Sequence, residues 1–205
     1  MHPFRDAVKP PLAGGAEFTG PHATGLRHLH VDDAILIRGT LAGRREDFDV
    51  LVERYQKPLY AFAYRFVHDP DRAADIVQTT FLQAYSHLGE FAGHSSFKTW
   101  LHQIALNEIR TAHRRSRGEQ LVSLDEVDEP ATTADAGIGS TWKHTLERLI
   151  ARLPLRQRTV VVLRVFSDLA FKEIARMEGM SENSAKVNYH HAITKLREWM
   201  RERDT

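Results

Sequence analysis

The chain contains no cysteine. This absence excludes disulfide bonds and thiolate metal sites, so folding requires no oxidising compartment. No apolar run approaches the roughly 20 residues that a helix needs to cross a bilayer. The N-terminus also lacks the basic segment followed by an apolar segment that marks a secretory signal. We therefore expect a cytoplasmic protein.

The sequence also lacks the short motifs of common enzymes. It has no glycine-rich phosphate loop, no HExxH pair and no GxSxG turn. Its twelve histidines mostly stand alone, and the adjacent His190 and His191 would point in different directions on a helix. The ligand spacings of a structural metal site are absent. We predict that the protein is not an enzyme, with no catalytic residues, no metal site and no cofactor.

Basic residues are missing from one stretch of the chain. Residues 119–140 contain six acidic residues and no basic one, although the whole chain carries a net charge of only +1. Residues 1–118 carry 15 basic and 13 acidic residues, and residues 141–205 carry 13 basic and 8 acidic ones. Two basic-leaning segments therefore flank an acidic strip, which favours nucleic acid as their partner.

Composition and hydrophobic periodicity divide the chain into four parts. Residues 1–30 contain several prolines and glycines and lack periodicity, which indicates a disordered extension. Residues 31–118 and 141–205 have helical periodicity, and neither has a strand pattern. Residues 119–140 lack a core pattern and are typical of a linker. We predict an all-α protein of two small helical domains joined by a flexible acidic linker.

The helical pattern makes further predictions within each domain. In the first domain, helices are predicted at about 33–41, 46–68, 71–88 and 96–117. Pro58 should kink or interrupt the second of these, because proline has no N–H to donate. In the second domain, the apolar run from Val160 to Phe166 is expected to form the core.

The stretch 169–196 has the pattern of two short helices joined by a tight turn. Ile174 and Ala175 lie on the buried side of the first helix, which should stop at Gly179 because glycine adopts left-handed conformations without strain. Ser181 then stands as the N-cap of the second helix. This is the plan of a helix-turn-helix, whose second helix enters the DNA major groove. An ordinary helical hairpin with a solvated polar face is the alternative.

Two helices of the first domain carry polar groups beside an apolar stripe. The fourth predicted helix combines Trp100 with Asn107 and a basic end, which suits nucleic acid with unstacked bases. The third places Asp75 and Gln78 beside its apolar face, where they are available to a protein partner. For each helix, a core stripe with a solvated surface is the alternative.

Two separated motifs resemble those of bacterial sigma factors. Region two of that family is similar to the stretches AADIVQTTFLQAY and FKTWLHQIALNEIRTAHRR. Region four is similar to the stretch IARLPLRQRTVVVLRVFSDLAFKEIARMEGMSENSAKVNYHHAITKLRE. Because the acidic strip leaves no room for region three, the chain resembles the extracytoplasmic-function group. The resemblance makes residues 31–118 a region-two domain and residues 141–205 a region-four helix-turn-helix domain.

The resemblance implies a subunit that directs core RNA polymerase to specific promoters and supports promoter melting. It implies that core polymerase binds Asp75, Gln78, Phe81 and Tyr85. The residues implied to bind melted minus-ten DNA are His94, Lys98, Trp100, Asn107, Arg110, Arg114 and Arg115. The residues implied to contact the duplex minus-thirty-five element are Ser184, Lys186, Asn188, His190 and His191. The acidic linker is implied to pass through the channels of the polymerase.

The second helix of the helix-turn-helix departs from the family pattern. The family commonly has glycine at Asn183 and arginine at Asn188 and His191, and neutral histidine cannot replace a bidentate arginine on guanine. An autonomous helix-turn-helix regulator, which binds duplex DNA without polymerase, is the alternative function. A helical interaction protein without a DNA role is a third. Because an anti-sigma factor often holds members of the family, it is a candidate partner, and no membrane insertion is expected.

Overall fold

The computed structural model describes residues 31–116 and 142–202, and every regular element in these two ranges is helical. The described residues divide into two compact units, with the boundary between His113 and Arg114. The predicted all-α fold with two helical domains is therefore confirmed.

Two predicted segments, the extension 1–30 and the acidic linker 119–140, lie outside the described residues. The domain bounds 31–118 and 141–205 stay predictions, because their inner ends fall outside the described residues as well.

The first unit contains four α-helices and one short 3-10 helix, and the last α-helix runs three residues past the boundary. They are α1 (Asp33–Leu41), α2 (Arg45–Val67), α3 (Pro70–Ser86), the 3-10 helix (Leu88–Glu90) and α4 (Phe97–Ser116). Carboxylates fix two of the helix starts, as N-cap side chains do. Asp32 accepts a hydrogen bond from the Ala34 N–H at 2.8 Å. Asp69 accepts from Asp71 and Arg72 N–H at 2.9 and 3.0 Å.

Pro58 does not interrupt α2, so that half of the prediction is wrong, whereas a kink at Pro58 stays a prediction. The helix runs without a break from Arg45 to Val67, and Pro58 is exposed on its surface. Leu51 and Leu59, before and after the proline, are both fully buried. Their packing holds the two halves in one helix, because it outweighs the single backbone hydrogen bond that proline removes.

Aromatic contacts join α2 to both α3 and α4. The Phe48 ring packs edge-on against Phe81 and Tyr85 of α3, with centroid distances of 6.4 and 5.0 Å. Farther along α2, Phe62 packs edge-on against His102 of α4 at 4.9 Å. One core therefore fixes the two helices that carry the predicted partner-binding and minus-ten residues.

The second unit contains the predicted helix-turn-helix. Its elements are α5 (Trp142–Ala151), α6 (Leu155–Val161), a π-helical turn (Val162–Phe166), α7 (Phe171–Glu178) and α8 (Glu182–Arg201). Gly179 ends α7 with a φ of 61°, in the left-handed region that glycine adopts without strain. The Ser181 hydroxyl accepts a hydrogen bond from Ser184 N–H at 3.0 Å and caps α8. Ile174 and Ala175 are buried, so the predicted turn, cap and inner face are confirmed.

The apolar run in α6 and the π-helical turn is only partly core, which corrects one prediction. Residues 160–163 are buried, but Val165 and Phe166 are 51% and 39% exposed. The reason is that Val165 and Phe166 lie on the outer side of the π-helical turn, while Ser167 after them is buried. Arg164, between the buried and the exposed residues, is half-buried, and its guanidinium donates to the Leu169 carbonyl oxygen at 3.1 Å.

Candidate functional site

The outer side of α3 presents a stripe of four residues at alternating spacings of three and four. We call Asp75, Gln78, Leu82 and Tyr85 the α3 stripe. Residues at this spacing share one side of a helix. Asp75 is exposed and Gln78 is half-buried, whereas the apolar Leu82 and Tyr85 are 45% and 37% exposed. Exposed apolar side chains beside polar ones are typical of a surface that another protein covers.

Phe81 was also predicted to bind a partner, but the structure places it in the core and outside the α3 stripe. It is only 3% exposed, because it points into the core beside Phe48. Leu82, which follows it, is the exposed apolar residue and was absent from the sequence prediction. The spacings of three and four residues from Asp75 through Gln78 to Leu82 could have predicted that Leu82 lies on the same side of α3.

The loop before α4 and the start of α4 form an aromatic cluster. The Trp100 ring lies 5.1 Å from Phe91 and 5.8 Å from Phe97, centroid to centroid. Phe97 also packs at 5.6 Å against Tyr55 of α2. Phe91 and Trp100 are half-buried, so part of each remains open to solvent. Such rings offer stacking surfaces for unpaired bases, and Tyr55 was not among the predicted site residues.

The loop reaches α4 through a glycine and a serine cap. Gly93 has a φ of 71°, which glycine tolerates without strain. The Ser96 hydroxyl accepts a hydrogen bond from Thr99 N–H at 3.0 Å and caps α4. His94, between them, is exposed, as the sequence prediction requires of a DNA contact.

One side of α4 collects most of the predicted minus-ten residues. We call Trp100, Gln103, Asn107, Arg110 and Arg114 the α4 face, because residues at these positions lie on one side of a helix. The Gln103 amide donates to Asn107 Oδ1 at 3.2 Å. Gln103 was not predicted, although its spacing from Asn107 places it on the same side. Two predicted residues, Lys98 and Arg115, lie on other sides of the helix by the same geometry.

A hydrogen bond connects the two helices that carry these surfaces. The Gln83 amide of α3 donates to the Glu108 carboxylate of α4 at 2.7 Å. Together with the shared core, this contact fixes the direction of the α4 face relative to the α3 stripe. A partner bound to α3 would therefore hold the aromatic and amide groups of α4 in a defined position.

His102 of α4 lies in the core, next to the buried Leu101. It is 2% exposed, and its Nδ1 lies 2.8 Å from the Lys98 carbonyl oxygen. Burial lowers the pKa of His102 to about 4, because the protonated imidazole would lose its hydration. The side chain is therefore neutral in the folded protein at physiological pH.

Replacing His102 with glutamine is expected to reduce the acid sensitivity of folding. The unfolded chain binds a proton at the usual pKa of 6.5, whereas the folded chain does so only near 4. The wild-type free energy of unfolding should therefore fall by about 1 kcal/mol from this residue between pH 7 and pH 5.5. Urea unfolding at both pH values measures the difference. The exposed His94→Gln variant should keep the wild-type dependence, and equal dependence in His102→Gln would contradict the prediction.

In the second unit, the predicted minus-thirty-five residues lie on α8. Ser184, Lys186, His190 and His191 are exposed, whereas Asn188 is half-buried. The opposite side of α8 packs inward through a buried stripe, which consists of Ala185, Ala192 and Leu196. The helix therefore has the inner and outer sides that a recognition helix needs.

Several of these polar groups are engaged within α8 itself. Lys186 Nζ lies 2.7 Å from Glu182 Oε1. The hydrogen bond and the positive charge of Lys186 lower the pKa of Glu182. The Asn188 amide donates to the Ser184 carbonyl oxygen at 2.9 Å. These contacts reduce the number of free donors that α8 presents.

Two kinds of feature are absent from residues 31–116 and 142–202. No helix there is both long enough and apolar enough to cross a membrane. In the same ranges, no three side chains of the metal-binding types lie together in a way that could hold a metal ion.

A helix-turn-helix in one unit and an aromatic, basic helix face in the other are typical of a helical nucleic-acid-binding protein. Two family models match the chain: Sigma-70 region 2 over residues 51–119 and Sigma-70 region 4 over residues 143–196. The chain belongs to the sigma-70 family of RNA polymerase sigma factors, in its extracytoplasmic-function group.

Curated relatives support the same family. The RNA polymerase sigma-H factor of Pseudomonas aeruginosa is 33% identical over 70% of this chain and 80% of the relative. The ECF RNA polymerase sigma factor SigM of Mycobacterium tuberculosis is 28% identical over 84% of this chain and 86% of the relative. The matches thus span most of both proteins.

Solved structures share the fold. CnrH, solved with the cytosolic domain of CnrY, matches with a TM-score of 0.64 and 23% identity, over 83% of this chain and 97% of that chain. RpoE of Bartonella quintana, solved with the anti-sigma factor NepR, matches with a TM-score of 0.61 and 24% identity, over 76% and 98%. At this level of identity, the likeness establishes the fold alone.

Proposed function

We propose that this protein is a sigma factor that directs core RNA polymerase to specific promoters and supports promoter melting, without being an enzyme itself. The observation that carries the proposal is the presence of the α3 stripe and the α4 face on adjacent helices of one compact unit. A protein that recognised only duplex DNA would need the helix-turn-helix but neither of these surfaces.

Core polymerase docks on the α3 stripe in this proposal. Asp75 and Gln78 supply hydrogen-bonding groups, and Leu82 and Tyr85 supply apolar contact. This spacing fits a helical partner surface, because every member of the stripe meets the same side of the partner. Phe81 contributes from within the core by holding α3 against α2.

Melted minus-ten DNA binds along the loop before α4 and the α4 face. The aromatic cluster around Trp100 stacks on unpaired bases, which offsets the few kcal/mol that unstacking a base costs. The Asn107 amide hydrogen-bonds to a base edge, while Arg110 and Arg114 hold phosphates. His94, Lys98 and Arg115 flank this path and contact the backbone.

The minus-thirty-five element binds as duplex DNA on the outer side of α8. Ser184, His190 and His191 face the major groove, while Lys186 and Asn188 lie beside them. The protein works in the cytoplasm, where core polymerase and the chromosome are. Because an anti-sigma factor often holds proteins of this group, we propose one as a regulator.

A pull-down with core RNA polymerase from the same organism tests this function. The affinity-tagged chain should retain core polymerase, and the assembled enzyme should bind promoter DNA that core polymerase alone does not select. A chain that binds its own duplex site but retains no polymerase would instead be an autonomous regulator. A chain that does neither would contradict both functions.

A further inference from the structure

The outer side of α8 contains an exposed apolar residue that the proposed function has not used. Val187 is 43% exposed, although it lies on the helix that enters the major groove. It points away from the buried stripe that ends at Leu196, since it is two positions from Ala185 and five from Ala192. Asn183 lies one turn earlier on the same side and is also exposed.

The polar neighbours of Val187 are less available than their exposure suggests. Lys186 is paired with Glu182 at 2.7 Å, and the Asn188 amide is bound to the Ser184 carbonyl oxygen at 2.9 Å. Each contact holds its side chain along α8 and occupies one of its donors. Val187 has no such contact to lose, because its exposed surface is apolar.

An apolar side chain in the major groove has one matching group among the four bases. Thymine presents its C5 methyl group there, whereas the other base edges present hydrogen-bond donors and acceptors. Residues near the start of a recognition helix are the ones that contact base edges, and Val187 lies in the second turn of α8. Burying a methyl group against valine removes apolar surface from water on both sides.

We infer that Val187 recognises a thymine of the minus-thirty-five element through the thymine C5 methyl group. The inference rests on the proposed function, because it requires α8 to lie in the major groove of that element. In this inference, Val187 determines sequence specificity, whereas Lys186 contributes to DNA affinity only through its positive charge. Lys186 would then affect affinity for all sequences alike.

Uracil substitution in DNA tests this inference, because deoxyuridine differs from thymidine only by the missing methyl group. Core polymerase assembled with the full chain is first used to select promoter duplexes from a random-sequence library. Each thymine of the upstream element is then replaced singly by deoxyuridine, and the affinity of the wild-type holoenzyme is measured. One position should weaken binding by about threefold to fourfold, the amount expected for one buried methyl group.

The variants carry the decisive comparison. Val187→Ala should bind the thymine duplex more weakly and should lose most of the thymine-to-uracil difference. Lys186→Ala and the exposed Thr194→Ala should keep that difference, whatever their absolute affinity. Because each variant is compared with itself on two DNAs, a general loss of folding or affinity does not alter the ratio.

The experiment distinguishes a failure of the role of Val187 from a failure of promoter recognition by α8. If no thymine of the wild-type site responds to uracil, or if Val187→Ala responds as the wild type does, the role of Val187 is overturned and the proposed function stands. If the holoenzyme selects no upstream element at all, promoter recognition by α8 is overturned, and the role of Val187 with it.

Discussion

Replacing Asp75 and Gln78 together with alanine should weaken binding to core polymerase by roughly tenfold to a hundredfold. Both side chains lie in the α3 stripe, and losing their hydrogen bonds leaves partner groups unsatisfied at the interface, at about 1.5 to 3 kcal/mol in all. Folding should be unaffected, because Asp75 is exposed and Gln78 only half-buried. Titration of a fluorescently labelled chain with core polymerase measures the change.

A matched control removes the same two residue types from another helix. Asp49→Ala with Gln56→Ala takes one carboxylate and one amide from α2, outside the stripe, and should leave the affinity close to that of the wild type. Equal affinity of the Asp75, Gln78 variant and the wild type would contradict docking on α3. Equal weakening by both double variants would point to a general effect of charge or folding.

Replacing Asn107 with alanine should impair promoter opening by roughly tenfold while leaving duplex binding nearly unchanged. The amide acts only once a base is unpaired, and a hydrogen-bonded base contact contributes about 1 to 3 kcal/mol. Permanganate reactivity of unpaired thymines measures opening, and footprinting of the upstream duplex measures binding. Both assays use the holoenzyme and one promoter.

Arg110→Ala serves as the comparison for Asn107→Ala. A phosphate contact acts on duplex and melted DNA alike, so this variant should weaken both readouts together. If Asn107→Ala also lowered both readouts equally, Asn107 would be a general DNA contact rather than a group that captures an unpaired base.

Local rules predicted much of the fold because the relevant forces act within a few residues. The Ser181 cap and the stop at Gly179 each depend on backbone hydrogen bonds or a left-handed φ that the residue type itself permits. The alternation of buried and exposed residues along α8 follows in the same way from helical periodicity. These features need no knowledge of the rest of the fold.

The wrong predictions concern residues whose position depends on tertiary packing. Pro58 remains inside α2 because the core holds both halves of the helix, and its sequence neighbours do not reveal that core. Val165 and Phe166 are as apolar as the buried residues before them, but they lie on the outer side of the π-helical turn, while Ser167 after them is buried.

The site residues also divide into those that local periodicity predicts and those that depend on tertiary packing. Periodicity placed Asp75 and Gln78 on one side of α3, whereas only the packing of Phe48 against Phe81 reveals that Leu82 is the exposed apolar neighbour. The ion pair between Lys186 and Glu182 could have been predicted, because the two residues are four positions apart on a helix. Only the geometry of α8 shows that Glu182 binds the Lys186 amine, which lies beside Val187.

The central claim is that this chain confers promoter selection on core polymerase, and mapping transcription start sites tests it most directly. Core polymerase is mixed with the purified chain on a library of genomic fragments, and the 5′ ends of the transcripts are sequenced. We expect a small set of defined starts that share two upstream elements and that vanish when the chain is omitted. Starts that are the same with and without the chain would contradict it.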